Sequence, residues 1–489
     1  MRLKRNWLDN YPLKMLTCLQ EMSSACRTDI FLTGGAVRDW LRGEYTLDLD
    51  FTVSTDAFEC GRFFVKHLGG AFVPLDENEG VVRIVWRDLS LDFASFREGT
   101  SGISEDLCRR DFTINALAVP LYLQNKKTVQ AYEIIDPTGG LADLEQGIVR
   151  VTSDNVFVKD PLRLLRAFRF MAKFVYAIDP RTLKLISEHS SLIEHSARER
   201  ITRELDQIME TDSAAQTMTE ISTVGILRHL IPELEKGRQV GQPSSHHLDV
   251  YHHNLDALAK IEEIINRPDS FFKGYGPDLN SYLQEGRRTV RLKWAALLHD
   301  IGKVATSQVR EDGRTTFYNH DQVGAGEAAV IGRRLRWSRD DIRSVSRFIE
   351  LHMWPFHLNN AILKTGITAR ACLRLVKAVG DDLPGLFVLA MADSLAAQGE
   401  GKPPAMEKAL VDLYARVDSV YQESIKPVLE TRRLLSGDDL IAMGLAPGAV
   451  FRDILDGLEE AQVEGLVHSR EEAVDWLGDF IDKNKTANE

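Results

Sequence analysis

Apolar and polar residues alternate in two different rhythms along this chain. Up to about residue 150 short runs alternate with period two; beyond it, strand signals largely vanish and apolar residues recur at helical spacing. DIFLTGG (29–35) predicts a strand ending in a glycine turn, and AVRDWLRG (36–43) a short helix stopped by Gly43. LDLDFTV (47–53) predicts a strand. VVRIVWRD (81–88) and LSLDFASF (89–96) predict a hairpin through Asp88–Ser90. Helical periodicity covers 160–176, 181–193, 197–211 and 213–224. GRQVGQPSSHH (237–247) is the best candidate linker, and a histidine-rich helical region follows it to about residue 400. GKPPAM (401–406) predicts a break before a helical tail, whose last residues, DKNKTANE, are expected to fray. There is no internal repeat and no low-complexity block. The expected class is α+β: a mixed-sheet head over 1–150, an all-α neck and body over 151–238, a second helical domain over 239–400, and a helical tail over 401–489.

Length agrees with that division. A chain of 489 residues exceeds one hydrophobic core, and roughly two to four domains are expected. With 44% hydrophobic and 27% charged residues, the composition is that of a globular protein. No window approaches the ~20 apolar residues that a membrane helix needs. The start, MRLKRNWLDNYPLKML, is basic but lacks the apolar core and cleavage site of a secretory signal. Cys18, Cys26, Cys60, Cys108 and Cys372 are scattered without a C-x-x-C pair, which suits a reducing cytoplasm and argues against a cysteine zinc site. The net charge of −12 argues against nonspecific coating of nucleic acid. A local cationic stripe is nonetheless present. Arg163, Arg166, Arg169 and Lys173 recur at three- and four-residue intervals along one helix face.

Residues two apart on a strand share a face, so Asp48 and Asp50 aim together. Paired carboxylates repel unless a cation neutralises them, and hard oxygen ligands suit Mg2+. Two such ions can promote a displacement at phosphorus. Asp92, in the neighbouring strand, could complete the cluster. A lone D-x-D is most often a solvated strand edge. Here it follows Gly34–Gly35 at a strand-to-helix turn, where backbone N–H groups can approach a triphosphate.

The run GGAVRDWLRGEYTLDLDFTV resembles the head signature of the class II tRNA nucleotidyltransferases and bacterial poly(A) polymerases, in the polymerase-β-like superfamily. RRDFTINALAV (109–119), DPTGGLADL (136–144), KDPLRLLRAFRF (159–170) and ARERITREL (197–205) match the family's later motifs in order. The resemblance implies a polymerase-β-like head and template-independent addition of nucleotides to RNA 3′ ends. It implies that Asp48 and Asp50 hold Mg2+, that Gly34, Gly35 and Arg38 hold the triphosphate, and that Arg110 and Asp111, with Asn115 in the same motif, face the nucleotide. Asp160 and Arg163 would be the protein template that reads the base edge, with Arg166 and Arg169 beside them. Arginine offers a planar donor fork and aspartate only acceptors, so the pair complements a base. Alternatively, they form a plain i,i+3 salt bridge. The family's template motif usually begins with two acidic residues, and here the first is Lys159.

Members of the family add CCA, CC or A to tRNA, or a poly(A) tail. A long flexible loop before the RRD motif marks the CCA-adding, A-adding and poly(A) enzymes, and its shortening marks the CC-adding ones. Here Arg97 is joined to Glu105 through only EGTSGIS, so the resemblance is greatest to CC-adding members, with CTP as substrate and ATP as the alternative. Drift of a surface loop without consequence is the bland explanation.

WAALLHDIGK places His299 and Asp300 at the end of an apolar helix, with His253, His320, His352 and Asp393 in other helical contexts. Mixed imidazole and carboxylate ligation suits transition metals. This constellation resembles the HD phosphohydrolase superfamily across 245–400. By position, His253, His299, Asp300 and Asp393 match the primary ligands, and His320 and His352 the places that hold a second metal or a substrate phosphate. The resemblance implies a metal such as Mn, Ni or Co and a phosphohydrolase site, with a silent scaffold as its rival. Two further readings compete with a tRNA nucleotidyltransferase: an HD phosphohydrolase with a vestigial head, and a noncatalytic RNA-binding protein. The intact D-x-D disfavours both.

Overall fold

Two-residue alternation in the first third of the chain builds a mixed sheet, and helical periodicity builds the rest. The computed structural model describes residues 11–486 except 78, 98–99, 123–132 and 366. The basic segment 1–10, part of the short EGTSGIS loop and the last three residues lie outside the described residues. The chain divides into two compact units, 1–211 with 220–230, and 212–219 with 231–489.

In the first unit, β1 (Ile30–Thr33), β2 (Asp48–Val53), β3 (Ala71–Asp76), β4 (Val81–Trp86), β5 (Leu89–Ser95) and β6 (Ala118–Pro120) form one sheet in the order β3-β4-β5-β2-β1-β6 among the described residues. β2 and β5 run parallel, placing Asp50 opposite Asp92. The other neighbours are antiparallel, and Thr33 of β1 faces Asp50. Leu49, Phe51 and Val53 are buried in the core, so period two turns Asp48 and Asp50 to the other face.

That core is closed by α1 (Leu13–Ala25) and α3 (Ala57–Leu68), which contribute Met15, Leu19, Met22, Cys60 and Phe64. Between them in sequence, α2 (Gly34–Leu41) springs directly from β1. The sequence pattern assigned neither α1, α3 nor β3. In α3 the reason is visible: Gly61 interrupts its apolar face, yet a Cβ there would lie 3.1 Å from both Phe72 and Val82 of the sheet. α4 (Ile103–Cys108) closes the short loop after β5. Among the helices that follow, α5 (Arg163–Phe174) buries Leu164, Leu165, Phe168 and Ala172 and packs against α6 (Arg198–Met209). The helical neck is not free of strand: Ile148–Val149 pairs with Ala177–Ile178.

The second unit centres on α11 (Leu383–Ala396), apolar nearly all round and therefore buried. Against it pack α7 (Val250–Asn266), α8 (Arg288–Leu298) and α10 (Arg339–Leu351), and α9 (His320–Arg334) lies on α10. The tail has a core of its own, including Leu435, Leu440, Ile454, Leu458 and Leu477. Its Glu460 pairs with Arg370 and Arg374 of the same unit. Among the described residues, no helix is long and apolar enough to cross a membrane.

Candidate active site

The carboxylates of the first unit stand at the mouth of the glycine turn. Gly34 has φ +67°, a conformation that a side chain disfavours, and a Cβ there would lie 3.0 Å from both Asp50 Oδ2 and Arg110 Nη1. The turn is thereby tight enough for Gly35 N to donate to Asp50 Oδ2 at 3.2 Å. Burial pushes the Asp50 carboxyl up to about 6; Arg110 opposes the shift and Asp92 adds to it. Asp92 is gripped by Arg83 through two bonds of 2.8 Å. Asp48, at the start of β2, is exposed. A half-buried carboxylate beside two more is a donor set that fits a hard cation.

From this turn a chain of bonds runs to α5. Arg38 Nη1 donates to Asn115 Oδ1 at 2.6 Å, and Asn115 Nδ2 to Asp111 Oδ1 at 3.1 Å. Asp111 Oδ2 accepts from Arg166 at 3.0 and 2.6 Å. Burial alone would raise Asp111, but Arg166, Asn115 and the Phe112 amide hold it well below the usual carboxylate range. The Arg38 guanidinium also lies over the rings of Phe170 and Phe174, at 5.2 and 4.7 Å from their centroids. Arg110 donates to Thr33 and Thr52, at 3.0 and 2.8 Å. Arg169 is tied to Glu204 of α6 at 2.6 Å.

Asp160 and Arg163 do not form a tight pair. Their side chains come no closer than 3.9 Å, while Arg200 holds Asp160 Oδ2 at 3.1 Å. Arg163 Nη1 is buried without a partner among the described residues. The i,i+3 salt bridge therefore does not account for these residues. A donor with no acceptor beside an acceptor with spare capacity suits a ligand that offers both. All twelve expected nucleotide and carboxylate residues line one cavity of ≈ 650 Å³: Gly34, Gly35, Arg38, Asp48, Asp50, Arg110, Asp111, Asn115, Asp160, Arg163, Arg166 and Arg169. Asp92, Arg97 and Lys173 line it as well.

In the second unit, His253 and His299 meet with Nε2 atoms 3.2 Å apart, and His320 and His352 with Nε2 atoms 3.3 Å apart. Asp300 divides its oxygens between the two pairs. Oδ2 lies 3.4 and 3.3 Å from His253 and His299; Oδ1 lies 3.4 and 3.8 Å from His320 and His352. Asp393 Oδ1 is 3.0 Å from His253. Three rings are aimed by their own backbone. Nδ1 of His299, His320 and His352 donates to the carbonyl three residues earlier, at 2.9, 2.9 and 2.7 Å. Such bonds orient imidazole ligands, and this donor set fits a transition metal. Burial opposes protonation of His299, yet Asp300 and Asp393 raise it to about 10. Burial and the neighbouring His299 and His320 push His352 down to about 4. Despite burial, Lys303 and His299 hold Asp300 well below its ordinary range, and His253 and His299 do the same for Asp393.

Three known families match in succession: the Poly A polymerase head domain over residues 30–150, the probable RNA and SrmB-binding site of polymerase A over 176–237, and the HD domain over 251–398. The chain is 30% identical over 449 residues to the A-adding tRNA nucleotidyltransferase of Deinococcus radiodurans, covering 90% of this chain and 93% of the relative. It is also 30% identical, over 457 residues, to the CC-adding tRNA nucleotidyltransferase of Thermus thermophilus, covering 92% and 93%. The chain belongs to the tRNA nucleotidyltransferase family. The fold of this nucleotidyltransferase matches that of the Thermotoga maritima CCA-adding enzyme complexed with tRNA, with a TM-score of 0.64 at 21% identity over 98% of this chain and 99% of the other.

Several residues of the nucleotidyltransferase's two sites were not picked out by sequence reasoning. Arg83 and Glu204 are partners of predicted residues, and only the fold brings them there. Lys303, which bonds Asp300 Oδ2 at 2.5 Å, follows it by one helical turn within HDIGK. His246 joins His253 and Asp300 with ligand atoms all within 4.8 Å of one another. The paired histidines of SSHH were the available signal.

Proposed function

We propose that the chain adds C residues, the CC of the CCA end, to tRNA 3′ ends from CTP by two-metal nucleotidyl transfer. The observation that carries the transfer reading is the shared cavity, in which the Asp48–Asp50 carboxylates, the Gly34–Gly35 turn and the free donor of Arg163 face one space. The tRNA 3′-hydroxyl releases its proton to solvent and its oxygen bonds the α-phosphorus of CTP; the bond to the β-phosphate oxygen breaks, and pyrophosphate leaves. Asp48 and Asp50 would hold the Mg2+, and the Gly35 N–H fixes the orientation of Asp50. Bound Mg2+ supplies Lewis-acid activation of the hydroxyl and neutralises charge developing at phosphorus. Gly34, Gly35 and Arg38 meet the triphosphate, Arg110 and Asp111 meet the sugar or phosphates, and Asp160 with Arg163 reads the edge of cytosine. Residues 1–150 act as catalytic head, 151–238 as template and RNA-holding neck, 239–400 as HD domain and 401–489 as tail. The setting we infer is the reducing cytoplasm, in keeping with five free cysteines.

Restriction to C rests on the short segment after Arg97. Arg97 Nη1 bonds both oxygens of Asp106 at 2.9 Å, and Ser101 N and Oγ bond Glu105 Oε2 at 2.8 and 3.1 Å. With Arg97 and Ser101 each tied to Glu105 or Asp106 of α4, the short segment has little reach with which to reset the template. Relatives of both specificities favour neither outcome, so full CCA addition and A or poly(A) addition are the alternatives. Purified enzyme offered tRNAs ending before the first C, after one C and after CC, with labelled CTP or ATP separately, decides among them. C addition to the first two and no ATP addition to the third is expected; efficient ATP addition to the CC-ended tRNA overturns the restriction.

A second activity, metal-dependent phosphohydrolysis in the HD domain, is favoured by the convergence of four imidazole Nε2 atoms on Asp300 and Asp393. Mn2+, Ni2+ or Co2+ suits that set. Loss of phosphatase activity in His299→Ala with nucleotide addition retained is the expected result; equal phosphatase activity in that variant excludes the reading.

A further inference from the structure

The Gly- and Pro-rich stretch that reads as a linker is a packed strap. The carbonyls of Ser244 and Ser245 accept from Gly401 N and Gly399 N, each at 2.9 Å. A Cβ on Gly399 would come within 2.2 Å of Ser244 O and 2.6 Å of His246 N, so this approach of two backbones requires glycine. Nearby, Gln242 donates Nε2 to Leu248 O at 3.2 Å and accepts from Lys303 Nζ at 2.7 Å. Lys303 is the same residue that bonds Asp300. Strap residues Pro243, Ser245 and His246 form one wall of a ≈ 580 Å³ cavity that reaches Asp393.

Of the tandem histidines on the strap, His247 is exposed and His246 turns inward. The His246 ring meets that of His253 edge-on, with centroids 4.7 Å apart. A ring nitrogen of His246 lies within 4.8 Å of ligand atoms of both His253 and Asp300. The Nδ1 of His246 is 3.0 Å from Ser245 Oγ, a bond that steadies the ring as the backbone carbonyls steady those of His299, His320 and His352.

We propose that His246 is a further ligand of the ion held by the HD residues, delivered by the Gln242–Leu248 strap, so that metal binding and seating of the strap are one event. This rests on the reading that the HD cluster holds a transition metal. His253, His299 and His352 sit on or at the end of packed helices and are fully buried, so they cannot withdraw to admit an ion. A ligand on a strap held by two backbone bonds and the Gln242–Lys303 contact can leave and return, which gives a buried centre its entry path.

Cobalt(II) separates the two ideas, because its visible absorption reports the ligand set. The full chain, stripped with a chelator and kept in excess Mg2+ to fill the head carboxylates, is titrated with Co2+, and bound metal is counted by equilibrium dialysis. His246→Gln is expected to weaken Co2+ binding about 10- to 100-fold, the range for losing a partner of a metal centre, and to change the band. Gly399→Ala should act in the same direction by unseating the strap, and His247→Gln should match the wild type. Circular dichroism of each variant without metal checks that it folds. Wild-type binding and an unchanged band in His246→Gln overturn the proposal alone. Absence of Co2+ binding in the wild type, or equal binding in His299→Ala, overturns the HD-metal reading and this proposal with it.

Discussion

The head cleft and the HD cluster both gather acidic residues with basic partners, but they are built on opposite principles. In the head, Asp48 is exposed, Asp160 and Arg163 stand apart at 3.9 Å, and the remaining arginines are held by ion pairs around an open cavity of ≈ 650 Å³. In the HD domain, His253, His299 and His352 are fully buried, Asp300 is 1% exposed, and the carbonyls of preceding residues set three of the rings. A site that must admit and release a nucleotide at every turnover needs donors with spare capacity. A site that retains a soft or borderline cation needs ligands that are already aimed. The same contrast separates what each site tolerates, and variants can press on it from either side.

The largest effect is expected at the carboxylates. Asp50→Asn should lower CTP incorporation by roughly 10³-fold or more, the scale of losing a main electrostatic stabiliser, while Co2+ binding by the HD cluster stays at the wild-type level. End-labelling of tRNA with CTP beside a cobalt titration checks both; substantial incorporation would remove Asp50 from the reaction. The reciprocal variant, His299→Ala, should weaken HD-site metal binding by at least about 100-fold, because it removes a ligand, and loss of an outer partner alone costs about 10- to 100-fold. Its incorporation of CTP should equal the wild type, and a parallel loss of both activities would show that the two sites are not separable.

A smaller effect tests how far the head relies on its ion pairs. Arg166→Ala leaves Asp111 buried with only Asn115 and the Phe112 amide. Breaking a buried pair costs about 3–5 kcal/mol. Because the Arg166 side chain is 32% exposed, water moderates that, and about 2 kcal/mol is expected. Urea unfolding followed by near-ultraviolet circular dichroism reads it; a change under about 0.5 kcal/mol, the level of ordinary surface substitutions, would mean that Asp111 does not need its partner.

The smallest effect is its dependence on pH. The folded-state affinity of Asp111 for protons is depressed, so the stability that this carboxylate contributes is fully present above its ordinary value and is lost as pH falls through and below about 4. Asp111→Asn should therefore be less stable than wild type at pH 7, with the gap narrowing below pH 4. A gap constant with pH would contradict the assignment.

What could be read from the sequence is local in origin. Two-residue alternation through LDLDF already places Asp48 and Asp50 on one face, and three- and four-residue spacing already aligns Arg163, Arg166, Arg169 and Lys173. The Gly34–Gly35 turn is legible too, as a glycine pair where a strand gives way to a helix, and the structure adds that Gly34 has φ +67°. These are consequences of backbone geometry, which any sequence of that pattern inherits.

Other features depended on residues distant in the chain. Asp111 and Arg166 are 55 positions apart, His253 and Asp393 are 140, and neither partner's local pattern announces the other. The linker-like composition of GRQVGQPSSHH says nothing of its contact with Gly399 and Gly401, because that contact depends on two backbones meeting. The sequence by itself determined which chemistry each site can support, through side-chain type and helical or strand spacing. Only the tertiary structure decided which charges are already paired, which donors remain free, and which of two adjacent histidines turns toward the HD cluster, because pairing and burial are set by neighbours that the folded chain, and not its local order, brings within reach.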